Sequence, residues 1–283
     1  WNDAQTQQVS GYLRGHVQSL MSGEESAIER SRESIMAPFG TAGATEPFVR
    51  QYARAISREI APATQADSLQ VRVNAMILAG RLPDSSALDP VAVGLQDDDA
   101  GVRYLAAVAL NGLIARDQVV DNQRGRVLEL VNGQLEKETS TFAAAPMFKA
   151  MLDLGAIDPL LQSLNVRVSR HVGRPNADLS PEADALRGIY TRLFSGEGTA
   201  AEVKQLGRAA VRYQFLAARQ LAAGNVSDTD SHIEMIRVGQ TTLTFVRERL
   251  NSTESIPPSV VAPITQERWD DVVEIANRWS TLL

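Results

Sequence analysis

The residue types that carry chemistry are scarce in this chain, and their spacing is unhelpful to catalysis. Cysteine is absent, which removes disulfides, thiolate metal sites and thiol nucleophiles together. The three histidines, His16, His171 and His232, have no second histidine or carboxylate at the helical spacing of a known metal motif, and no adjacent His-Glu pair occurs. The neighbouring carboxylates Glu24-Glu25, Asp97-Asp98-Asp99 and Asp270-Asp271 each fall in the first turn of an expected helix, where acids serve as caps. A general acid and base need carboxylates brought from separate elements, with at least one shifted pKa. Gly196-Glu197-Gly198 lacks the preceding strand, the further glycines and the lysine of a phosphate-binding loop, and no Gly-x-Ser-x-Gly elbow is present. The expectation is therefore no catalytic residue, no metal and no cofactor.

Arginine is the exception. Only Lys137, Lys149 and Lys204 are lysine among the 28 basic residues. Arg167, Arg170 and Arg174 lie in a stretch without an acid between Asp158 and Asp178, and Arg187, Arg208, Arg212 and Arg219 follow. Arg208 and Arg212 are one helical turn apart and can share a face. Two readings stand. Either these are solvated side chains paired with acids such as Glu182, Asp184 and Glu202, or they form a basic patch suited to an acidic peptide or another anion. Arg167, Arg170, Arg174, Arg208 and Arg212 are the candidate partner contacts. Trp269 and Trp279 join them, since tryptophan is favoured in interface hot spots; the competing reading packs both over the end of a helical array.

The elements that must position these side chains read as helices almost throughout. Apolar residues make up 44% and aromatics only 5%, and abundant small side chains favour helix-on-helix packing. Ser22 with Glu25 and Thr199 with Glu202 have capping-box spacing. Asp89-Pro90, Asp158-Pro159 and Ser180-Pro181 place a capping side chain before a proline at the first helical position. Helices are expected over 3–21, 23–36, 46–60, 68–82, 89–95, 100–115, 121–137, 140–154, 158–164, 181–195, 199–223, 228–251 and 265–281. Residues 165–180 read as a long connection, and residues 252–263, with Pro257-Pro258 and Pro263, as a linker.

Val71-Arg72-Val73-Asn74-Ala75 recurs 31 residues on as Val102-Arg103-Tyr104-Leu105-Ala106, and Leu82 recurs as Leu113. A fixed period on helical spacing is the mark of stacked helix pairs. The stretch from Leu95 through the acidic turn, Val102-Arg103, Ala106-Ala107 and Ala109-Leu110 to Leu113 resembles the second half of a HEAT repeat, and Asp67–Leu82 is a poorer copy. Clear resemblance covers about residues 66–115. It implies an all-α, HEAT- or armadillo-like superhelix, a right-handed solenoid of antiparallel helix pairs that becomes less regular in its C-terminal half. It also implies a structural ladder joining Asp67 with Arg72 and Asp98 with Arg103.

On this basis the chain divides into an N-terminal helical cap (1–45), HEAT-like repeats (46–164), a C-terminal helical region (165–251), and a linker with a terminal Trp-bearing helix (252–283). Its expected role is a non-enzymatic scaffold that binds another protein or an acidic peptide. The alternatives are an enzyme or small-ligand carrier with a cleft between the two helical halves, or a homo-oligomeric structural subunit. Nucleic acid is not an expected partner, because the net charge is −6 and duplex binding draws on Lys and Arg. No apolar run reaches the ~18 residues that cross a bilayer. The lack of cysteine suits a cytoplasmic protein or an exported one whose leader has been removed.

Overall fold

The computed structural model describes residues 1–224, 226–250 and 257–280. Residues 252–256 of the expected linker, and the last residue of each of the expected helices 228–251 and 265–281, lie outside them. The described residues are all-α, with no strand among them. They fall into two compact units, Trp1–Gln134 and Leu135–Leu283.

The first unit is built from α1 (Asp3–Met21), α2 (Glu25–Met36), α3 (Glu46–Ile60), α4 (Leu69–Arg81), α5 (Leu88–Gly94), α6 (Ala100–Ala115) and α7 (Asp121–Leu135), whose last residue belongs to the second unit. The expected caps form only in part: the Ser22–Glu25 box is absent, since α2 starts after Glu24 without a side-chain cap, and Asp89 lies inside α5 rather than capping it. Asn2 and Gln5 form a capping box at α1, Thr45 caps α3, and the Asp99 carboxylate accepts from the amides of Gly101 and Val102 to start α6. The repeated segments become α4 and α6, which pack directly on each other. Val71, Ala75, Leu78 and Ala79 of α4, and Val102, Ala106, Ala109, Leu110 and Leu113 of α6, are all buried. Small residues let these helices close up: a β-carbon on Gly94 of α5 would lie 2.2 Å from Met76 Sδ and 3.0 Å from Ala106 Cβ.

The arginines of the two repeats make the same contacts. Arg72 Nη1 donates to the carbonyls of Ala66 and Asp67, at 2.9 and 3.0 Å. Arg103 Nη1 donates to those of Asp97 and Asp98, at 2.8 and 2.9 Å. In each copy the guanidinium closes over the turn five and six residues before it. The expected pairing is corrected in one respect: Asp67 and Asp98 meet these arginines through main-chain oxygens. The carboxylate that Arg72 engages is Asp97, in two hydrogen bonds of 2.7 and 3.2 Å.

The second unit comprises α8 (Thr141–Asp153), α9 (Ile157–His171), α10 (Ser180–Phe194), α11 (Ala200–Ala222), α12 (Thr229–Arg249), α13 (Val261–Thr265) and α14 (Trp269–Ser280). α11 is its centre and packs against α9, α12 and α14. Asp158 and Ser180 lie inside α9 and α10 rather than capping them. Here the structure corrects the expected end of the helix at 164. α9 runs on to His171 and shortens the connection to residues 172–179. Leu160, Leu164, Arg167, Val168 and His171 form one buried stripe at helical spacing, but two of its members are polar, so apolar periodicity stops too early. α8 carries Pro146 in its interior, within the expected helix 140–154.

Candidate functional site

The second unit carries the chemically richest cleft, a hollow of about 520 Å³ at the C-terminal end of α9. Its walls are Glu138, Thr139 and Thr141 ahead of and at the start of α8, Arg170 and His171 of α9, and Arg174 to Asp178 of the following loop.

Beneath it lies a buried charge cluster. Glu182 enters α10 in its first turn, directly after Pro181, a position where a carboxylate meets the positive end of the helix dipole. Its Oε1 accepts from Arg167 Nε at 2.7 Å and lies 3.0 Å from His171 Nε2. Arg167 Nη1 spends its hydrogens on the carbonyls of Leu135 and Glu138, at 2.9 and 2.7 Å, and its guanidinium lies over the Phe148 ring. Burial opposes the charge on Glu182, but the hydrogen bond from His171 and the charge of Arg167 outweigh it and hold the carboxyl below its usual range. Gln220 of α11 donates to the His171 carbonyl at 2.9 Å, and its amide oxygen faces His232 Nε2 at 2.9 Å. Tyr213 donates to the Leu164 carbonyl at 3.0 Å. The floor of the cleft is thus tied into α9, α10, α11 and α12.

The candidate arginines separate into three environments. Arg167 is corrected from a surface contact to a core residue: it is 3% exposed, and its donors are used internally. Arg170 and Arg174 are exposed on the cleft wall; neither makes a side-chain hydrogen bond or ion pair with any described residue. The acids of the cleft are occupied. Glu138 Oε1 accepts from the amides of Thr139 and Ser140, and Asp178 Oδ1 from Ser180 N. Arg208 and Arg212 lie elsewhere, on the face of α11 beside α9, where Arg212 donates to Asn165 Oδ1 and Ser169 Oγ.

The tryptophans also separate. Trp279 is fully buried, with α14 laid on α11, which corrects its candidacy as a partner contact. Trp269 is half-buried at the start of α14.

This arrangement suits holding an anion. Guanidinium groups without a counter-charge favour carboxylate or phosphate, and bind it in pairs of hydrogen bonds. The His171–Glu182 pair has the outline of a base with its orienting acid, but His171 Nδ1 is buried without a hydrogen-bond partner, so no nucleophile is presented to it. Sequence reading missed His171 and Glu182 as members of one cluster. The available signal was Pro181-Glu182 at a helix start, opposite arginine and histidine four residues apart on α9. Among the described residues no group of three or more metal-ligating side chains is assembled, and no helix is long and apolar enough to cross a membrane. No protein-family model matches the chain, and no curated protein matches it.

Proposed function

We propose that this chain is a non-enzymatic interaction scaffold, a HEAT- or armadillo-like α-solenoid, and that the cleft at the end of α9 receives a carboxylate of an acidic protein or peptide. The observation that carries this reading is the state of Arg170 and Arg174: two exposed guanidinium groups, unpaired among the described residues, beside a buried, hydrogen-bonded floor. A rigid floor lowers the entropy cost of recognition, and unpaired arginines in a chain of net charge −6 mark a local reversal of sign. The matching clamps of Arg72 and Arg103 support a repeat architecture in the first unit.

Fluorescence anisotropy with a labelled oligoglutamate peptide tests the reading. The wild type binds it, and the Arg170→Glu/Arg174→Glu double variant binds at least about tenfold more weakly with an unchanged melting temperature. Equal binding by both proteins, or none by the wild type, overturns the assignment.

A further inference from the structure

The outer faces of α9 and α11 carry a second surface that the cleft does not use. Gln162, Asn165 and Ser169 of α9, with Val172 just past its end, follow one another at helical spacing; on α11, Arg208, Arg212, Phe215 and Arg219 do the same. The two helices run in the same direction: Arg212 meets Asn165 and Ser169, and further on Gln220 meets His171. Two adjoining hollows, of about 660 and 530 Å³, lie along this line and share Arg212. Most side chains lining the first are polar types, among them Asn165 and Arg208; the second adds the apolar Val168, Val172, Phe215 and Leu216.

We propose that this groove docks an amphipathic acidic helix of a partner protein, with its carboxylates over Arg208 and Arg212 and its apolar residues over Val172 and Phe215. Three observations select that occupant. Every charged residue lining either hollow is an arginine, in a chain where acids outnumber bases 34 to 28. Among the described residues none of these arginines meets a carboxylate: Arg212 is held by neutral partners, Arg219 lies 5.6 Å over the Phe215 ring, and Arg208 has no side-chain partner. Their positive charge is therefore left for a ligand, while the contacts of Arg212 and Arg219 fix their position. Finally, Val172 is 68% exposed at the apolar end, on a surface between two co-directional helices.

A third helix is the shape that fills a groove between two helices. From Arg208 to Arg219 the surface extends about 16 Å at the ~1.5 Å rise per residue of a helix, so it accommodates about three turns. The partner then reads as a helix with acids at one end and aliphatic or aromatic side chains at i, i+3 and i+7 towards the other. This site stands apart from the carboxylate cleft. Arg170 of α9 and Arg174 of the loop after it line the cleft and not this groove, and only Pro175 lines both surfaces.

The test uses the full chain and a fluorescein-labelled peptide of that pattern, Glu-rich at one end with Leu and Phe anchors, beside a peptide of equal composition in scrambled order. Val172→Asp and Arg208→Glu are the informative variants, since both sites are exposed and neither contributes a side-chain hydrogen bond to the fold. The patterned peptide binds the wild type and loses about tenfold or more in affinity with either variant, whereas Arg170→Glu/Arg174→Glu leaves it unchanged. That last comparison separates this site from the cleft: loss of oligoglutamate binding alone concerns the cleft, and loss of patterned-peptide binding alone concerns the groove. The proposal is overturned if the scrambled peptide binds as well, or if Val172→Asp has no effect. It is also overturned if Val172→Asp instead dissolves a homodimer seen by sedimentation, or if phosphatidylserine vesicles compete the peptide away through Arg208.

Discussion

Arg167 and Glu182, fifteen residues apart in sequence, form an ion pair with a 2.5 Å Nη2–Oε1 contact and side chains only 4% and 0% exposed. An exposed pair of this kind contributes little. A buried one behaves differently: its charges are costly to desolvate, and removing one partner strands the other. Glu182→Gln is therefore expected to destabilise the protein by about 3–5 kcal/mol, and Arg167→Met by a similar amount, while the double variant Arg167→Met/Glu182→Gln recovers a large part of that loss. Guanidinium unfolding of the four proteins checks this. Simple additivity of the two losses would show that the residues act independently.

The same pair explains where the sequence was readable. Helix existence was legible nearly everywhere, because α4, α6 and α11 carry apolar stripes and their caps are local: Asp99 at α6, and Thr199 with Glu202 at α11. The end of α9 was not legible, because Arg167 and His171 occupy core positions and are rendered tolerable only by a glutamate from the next helix. The acid-free stretch around Arg170 and Arg174 agrees with their exposure and their lack of an ion pair among the described residues. That Arg167 belongs to the interior depends on the partner across the fold, and nothing in its own neighbourhood announces it. Trp279 illustrates the same limit, since a tryptophan on an amphipathic helix looks alike whether it faces α11 or a partner.

The repeated arginine clamp gives a second expectation. Arg72 closes its own turn and holds Asp97 with two hydrogen bonds at a site where both side chains are largely buried. The hydrogen bond to Asp97 also raises its pKa further, so the charge persists at any ordinary pH. Arg72→Ala should cost roughly 1.5–3 kcal/mol, the range for hydrogen bonds to charged groups. The readout is the urea midpoint at unchanged m-value, and a shift below about 0.5 kcal/mol would place Arg72 among ordinary surface residues.

Close packing in the first unit yields a third. Gly94→Ala puts a methyl group where Met76 Sδ and Ala106 Cβ already stand, and Met76 is itself buried with little room to retreat. Overpacking of about 1–3 kcal/mol is expected. Gly125→Ala serves as the control, since no atom lies within 4 Å of its added carbon; at this helix-interior site alanine should be neutral or stabilising. Thermal unfolding of the two variants side by side distinguishes steric conflict from a general effect of replacing glycine.

Burial of His232 gives the second unit a pH dependence that can be tested. Its ring is fully buried, with Nδ1 2.8 Å from the Asp228 carbonyl and Nε2 2.9 Å from Gln220 Oε1. Burial is the dominant influence and pulls its pKa below the ordinary 6.5, against the raising effect of the Asp228 carbonyl. The folded chain therefore binds this proton less readily than the unfolded chain. Its stabilising contribution is complete above about pH 6.5 and is lost as pH falls from there through the lower folded value. Glu182 acts in the same direction but only below the ordinary carboxyl value of 4.5, so the two windows do not coincide. Wild-type stability should fall between about pH 7 and pH 5. His232→Gln, compared with wild type by denaturant unfolding at each pH, should show a shallower fall over that range. Parallel curves would mean that His232 keeps the same proton affinity in both states, and that its neighbours compensate fully for burial.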